Sequence, residues 1–130
     1  MFLRFVTLYL DDHSHMAAGI FTAAYELKDE EELPDYTRHM LAEILSWFDE
    51  YLDEPHIFSR SPRAYGRNIG ICWFKNTAQR HLEKTFELAA LLEEHNVLIE
   101  LLKAERPGYV VYEDDYQIVA EPSIRRMKRV

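Results

Sequence analysis

Apolar and polar positions along the chain switch between a period near two and a period near 3.6, and the switches divide it into elements. Phe2 to Leu10 is aromatic and branched, with Arg4 and Thr7 as its polar positions, which predicts a strand covered on one face. It closes at Asp11-Asp12. Ser14 is a competent N-cap, and Ala17, Ala18, Gly19, Ala23 and Ala24 predict a first helix with a smooth packing surface. Asp29 to Glu32 is a solvated helix end. Pro34 then suits the first turn of a second helix, because the N–H that proline lacks would be unpaired there. That helix is expected to run to about Leu52, with Tyr36, Met40, Leu41, Ile44, Leu45, Trp47, Phe48, Tyr51 and Leu52 on its apolar side and Arg38, Glu43, Asp49 and Glu50 mostly opposite. The two helices should pack as a hairpin.

Pro55 to Asn68 has two prolines, a glycine and three arginines without periodicity and reads as a long irregular loop, a kind of segment that often carries function. Ile69 to Phe74 is a near-continuous apolar run, as in a strand buried on both faces. Asn76 or Thr77 is expected to cap a third helix that runs to about His95 and turns Leu82, Phe86, Ala89, Ala90 and Leu92 inward. Val97 to Leu102 is a further strand, and this strand–helix–strand succession predicts a right-handed parallel crossover. After the turn at Arg106-Pro107-Gly108, Tyr109 to Tyr112 and Tyr116 to Ala120 should pair across Glu113-Asp114-Asp115 as a hairpin. The expectation is one α+β domain over residues 1–122 in the order βααβαβββ: a mixed sheet ending in a hairpin, with helices packed on it. Residues 123–130 form a basic, flexible tail.

Charge sharpens this picture more than composition does. The formal net charge is −8. Met1 to Glu54 holds 3 basic and 13 acidic residues and Glu83 to Glu121 holds 3 and 10, whereas Pro55 to Leu82 has Arg60, Arg63, Arg67, Lys75 and Arg80 and no carboxylate. Together with Tyr65, Asn76 and Thr77, these five cations form the candidate anion- or partner-binding site. Helix N-termini offer free N–H groups to anions and arginines add bidentate donors. The spacing is not that of a P-loop, so nucleoside triphosphates have little support. Tyr65 and His56 could stack a base, but an acidic chain with no nucleic-acid fold signature makes nucleic acid a poor partner; an acidic protein or a phosphate-bearing ligand fits better. The plain alternative is that these arginines pair with the acids of the first two helices.

A second candidate is Asp11-Asp12-His13-Ser14-His15. Carboxylates and imidazoles are metal ligands, and Asp11, His13 and His15 could hold an ion, with His39, His56 or His81 added by the fold and Asp12 serving as base toward metal-bound water. Cap chemistry at a helix start explains the same residues more simply. The single cysteine, Cys72, excludes an internal disulfide and sits in an apolar strand, where it acts as a small hydrophobe. The tyrosines at 109, 112 and 116 read as sheet packing, and the acids between them as turn chemistry that keeps an edge soluble. Trp47, Phe48 and Tyr51 gather enough apolar surface on the second helix to suggest a homodimer. The apolar start, interrupted by Arg4, is too short for a membrane span and lacks a cleavage pattern, which points to the cytoplasm.

Ile71-Cys72-Trp73-Phe74-Lys75, Leu91-Leu92-Glu93-Glu94-His95 and Arg106-Pro107-Gly108-Tyr109-Val110-Val111-Tyr112-Glu113-Asp114 resemble segments of small bacterial proteins of unassigned function, over roughly the last 60 residues. The resemblance implies a bacterial-type protein and brings no catalytic residue or cofactor with it. The leading expectation is therefore a non-enzymatic binding or regulatory protein with an anionic partner. A small metal-dependent hydrolase built on the Asp-His cluster is the alternative, and a structural subunit of an assembly is the third reading.

Overall fold

The computed structural model describes residues 1–10, 17–60 and 69–122. Their element order is β1 (Phe2–Leu10), β2 (Ala17–Gly19), α1 (Ile20–Lys28), α2 (Asp35–Tyr51), β3 (Ile71–Lys75), α3 (Gln79–Glu94), β4 (Ile99–Ala104), β5 (Tyr109–Glu113) and β6 (Gln117–Glu121). The chain is α+β, and the expected order holds apart from the added β2. Two compact units share it. One comprises Met1–Arg4, Asp53–Gln79 and Lys103–Val130; the other comprises Phe5–Leu52 and Arg80–Leu102.

The first unit is a sheet in the order β1-β3-β6-β5. The start of β1 meets β3 (Phe2 opposite Lys75, Leu3 opposite Phe74), β3 meets β6 (Ile71 opposite Ala120 through Phe74 opposite Gln117), and β6 meets β5, all antiparallel. Neighbouring residues of a strand point to opposite faces, so the complete burial of β6, Gln117 to Glu121, means that both of its faces are covered. Phe58 contributes to one of these covers: a Cβ on Gly70 would lie 2.2 Å from its carbonyl oxygen and 2.5 Å from Val119 Cγ1, so only glycine fits. Gly108, at φ +147°, leads into β5 where a Cβ would strike the Glu121 carbonyl.

The second unit places the three helices with the rest of β1. Here β1 pairs with β2 (Val6 opposite Gly19, Leu10 opposite Ala17), and β4, which begins in this unit, also pairs with β1. The core is Phe5, Val6, the α1 stripe Ile20, Ala23, Ala24 and Leu27, the α2 stripe Leu41, Leu45 and Phe48, and Leu88, Ala89, Leu91 and Leu92 of α3. Phe21 meets Phe48 edge-on at 4.8 Å and Phe5 meets Phe86 at 5.0 Å. The turn between α1 and α2 is held by Arg38, whose guanidinium donates to the carbonyls of Lys28 (2.7 Å), Glu30 (2.8 Å) and Leu33 (3.3 Å). Those carbonyls belong to a helix end and the turn after it, where no helical N–H is left to bond them.

Four sequence expectations change. Ala17 to Gly19 is strand rather than helix: this short run, with no bulky side chain, pairs with β1, and α1 begins after Gly19 (φ −68°, ψ 158°). The pairings of β1 with β2 and β3, of β3 with β6 and of β5 with β6 are antiparallel rather than mixed, and β3 and β4 do not pair with each other but each pairs with β1. Asn76 and Thr77 do not cap α3 but form the turn before it, in which Ala78 N–H donates to the Lys75 carbonyl (3.0 Å) and Gln79 N–H to that of Thr77 (2.9 Å). The inward face of α3 keeps Ala89 and Leu92 as expected but otherwise shifts: His81, Thr85 and Leu88 are buried, whereas Phe86 is 53% exposed and Ala90 is exposed. No helix among the described residues is long and apolar enough to cross a membrane.

Candidate anion-binding loop

The arginine-rich loop rises from a stem built in the first unit. Ser59 Oγ accepts Ile69 N–H at 2.8 Å and donates to the Phe58 carbonyl at 2.7 Å, which ties the two ends of the loop together. One residue on, Arg60 N–H donates to Glu121 Oε2 at 2.9 Å. Glu121 is fully buried, so this bond forms away from water. The Arg60 side chain is exposed and has no carboxylate within ion-pair distance among the described residues. Arg63, Tyr65 and Arg67 lie outside the described residues.

The rest of the predicted island divides. Lys75 ends β3 and its ammonium lies 2.6 Å from Glu113 of β5, so its charge is already answered, although by the hairpin and not by the helices. A partly exposed pair of this kind contributes about 0–1 kcal/mol. Asn76 and Thr77 are exposed on the turn that follows, and Asn76 N–H donates to the Met1 carbonyl at 3.2 Å. Arg80 is the first residue of the second unit's return segment. Its guanidinium lies 5.8 Å from the ring centres of both Trp47 and Tyr51, stacked on aromatic faces and bonded to no acid among the described residues. Trp47 and Tyr51 are 5.0 Å apart, and Phe48 between them in sequence is buried, so the apolar face expected to make a homodimer is partly occupied within the chain itself.

Two further groups complete the chemistry of the first unit: Arg4, which the sequence placed only as a polar strand position, and Asp114, which it read as turn chemistry. Arg4 is half-buried in β1, and its Nη1 donates to the Cys72 carbonyl at 3.0 Å. Burial pulls its pKa below the usual guanidinium value, and the neighbouring Cys72 acts in the other direction. Burial likewise pushes the Cys72 thiol up; Arg4 opposes that shift and Asp114 adds to it, so the thiol stays protonated and unreactive. The second group is Asp114 at the hairpin tip, whose carboxylate accepts from Tyr112 Oη (2.9 Å), Tyr116 N–H (2.9 Å), Gln117 N–H (3.0 Å) and Gln117 Nε2 (3.0 Å). Burial alone would raise its pKa, yet the four donors outweigh it and hold the carboxyl below its usual value. Gln117 Nε2 also donates to the Asp53 carbonyl at 2.6 Å, and His56 stacks edge-on against Tyr112 at 5.4 Å, so the start of the long loop is fixed to the hairpin.

The Asp-His candidate, Asp11, His13 and His15 with Asp12, lies outside the described residues. Among the described residues no three His, Cys, Asp or Glu side chains are grouped so as to hold a metal ion. His39 pairs with Glu43 on α2 at 3.4 Å, and His81 is buried with Nε2 2.8 Å from the Tyr51 carbonyl; a carbonyl only accepts, so that nitrogen carries the proton. No family model matches the chain, and neither a curated protein nor a solved structure matches it.

Proposed function

We propose that the chain is a non-catalytic binding or regulatory protein that takes an anionic partner, an acidic protein or a phosphate-bearing ligand, on its arginine-rich loop. The observation that supports this reading is the run of charge along the chain: Pro55 to Leu82 holds five cations and no carboxylate, between Met1 to Glu54 with 3 basic and 13 acidic residues and Glu83 to Glu121 with 3 and 10. A chain of pI 5.2 thus has a segregated cationic part, the condition under which an acidic protein can still attract an anion.

The loop is the part of that run best suited to contact. Its stem is fixed by Ser59, Gly70 and buried Glu121, its three arginines are not balanced by a carboxylate between Pro55 and Leu82, and Arg60 is exposed at its base. A fixed stem lowers the ordering cost of binding. Retention on a polyanionic heparin matrix at low salt, despite the acidic pI, tests the reading. Wild type is expected to bind and to elute as salt screens the contact, whereas Arg63→Glu with Arg67→Glu is expected in the flow-through with an unchanged circular dichroism spectrum. Equal retention of the two proteins removes the loop as the binding element.

A further inference from the structure

β5 is the outermost strand of its sheet: among the described residues it pairs with β6 and with no other strand. The hydrogen bond from Asp114 N–H to the Gln117 carbonyl (3.0 Å) marks Asp114 as a position whose backbone faces β6. In an antiparallel ladder these positions alternate, so Glu113, opposite Ile118, turns its own N–H and C=O to the open edge. The residues Tyr109 to Glu113 include no proline and no lysine, two of the devices that keep an edge from pairing, although the irregularity between Val110 and Tyr112 is a third; Tyr109 and Val110 are 56% and 41% exposed.

The ends of this strand differ in charge. Arg106 stands before β5 and Asp115 after it; both are exposed and neither has an ion partner among the described residues, while Asp114 is held by the hairpin. In an antiparallel pairing of two β5 strands whose two-fold axis passes between Val110 and Val111, Arg106 of one copy lies opposite Asp115 of the other, twice by symmetry. We propose that β5 is a dimerisation edge: a second copy of this chain adds its own β5 antiparallel, the sheet continues across the two-fold axis, and Arg106 and Asp115 pair reciprocally at both ends. A two-fold pairing consumes the β5 edge of both copies, so the assembly closes at two. The irregularity between Val110 and Tyr112 adds local twist, which disfavours stacking of flat sheets. None of these edge residues belongs to the aromatic set of α2 or to the arginine loop.

Light scattering coupled to size exclusion, run at roughly 1 to 500 µM because an edge pairing is a small interface, should show mass rising from 15.5 kDa toward twice that value. Arg106→Glu alone and Asp115→Arg alone should each weaken association at least about tenfold, and the double reversal should restore it, as expected for charges that meet across the interface. Val110→Lys, at an exposed position, should give a monomer with native circular dichroism, and the Glu113 amide should be protected from hydrogen exchange in the dimer and not in this variant. A monomeric mass across the whole range overturns the proposal. So does a dimer that neither charge reversal nor Val110→Lys affects, since that would place the interface elsewhere.

Discussion

Asp114 shows how much one side chain can organise. Its two oxygens take four donors, two of them backbone N–H groups at the turn of the hairpin, and through Tyr112 and Gln117 it connects the turn to His56 and Asp53. Because the folded pKa lies below the ordinary carboxylate value of about 3.9, this residue adds stability above that pH and loses it as pH falls through the lower folded value. Asp114→Asn replaces one acceptor oxygen by a donor facing donors and should cost about 1 kcal/mol near pH 7. The difference from wild type should shrink as pH is lowered from about 5 to 3, because protonation removes the same acceptor from the wild-type protein. Urea unfolding across that range measures it. A difference that stays constant from pH 7 to 3 would show that the carboxylate charge does not matter.

Between elements, polar side chains close what backbone bonds cannot. Arg38 gives its donors to three carbonyls after α1, and His81 gives its Nε2–H to Tyr51, the last residue of α2. Thr85 Oγ1 donates to the His81 carbonyl one turn back, at 2.6 Å. Arg38→Ala takes a donor from each of three carbonyls, of which that of Glu30 keeps the Leu33 N–H at 3.3 Å, and should destabilise by about 2 kcal/mol, while Arg38→Lys, with a single point of attachment, should recover less than half of that. Equal stability of the three proteins in thermal melts would show that the clamp contributes nothing. These contacts also explain which parts of the fold could be read in advance. The β5–β6 hairpin and α2 were legible because local signals suffice for them: Pro107-Gly108 before the strand, acids in the turn, an unbroken 3.6 period. The α3 face was not, because hydrophobicity favours Phe86 and Ala90 over His81 and Thr85, and the Tyr51 carbonyl that helps make a buried histidine acceptable lies 30 residues away in sequence. The buried Glu121 that pins the arginine loop was hidden for the same reason, since its partner Arg60 lies 61 residues away in sequence.

Across the whole molecule, uneven charge is the feature with the widest reach. Sixteen acidic residues against four basic ones in one unit repel one another, and those four cations are largely committed elsewhere: Arg38 to carbonyls, Arg80 and Lys84 to the Trp47 ring, Lys28 to the Tyr25 ring at 6.0 Å. Lys84 reaches Glu87 at 3.2 Å, but Glu93 and Glu94 are exposed at the C-terminal end of α3, where the helix dipole also disfavours negative charge. Salt therefore acts here in the direction opposite to its effect on a protein held by surface ion pairs. Raising the ionic strength from about 0.01 to 0.5 M shortens the screening length from roughly 30 Å to a few ångströms and relieves the repulsion. The melting temperature is expected to rise by several degrees, since about 1 kcal/mol corresponds to roughly 2–8 °C for a domain of this size. Glu93→Gln with Glu94→Gln should raise the melting temperature at low salt and reduce its dependence on salt, because the variant begins with less repulsion to screen. A melting temperature that falls with salt, or a double variant with the wild-type salt slope, would mean that ion pairs rather than repulsion govern the stability of the acidic unit.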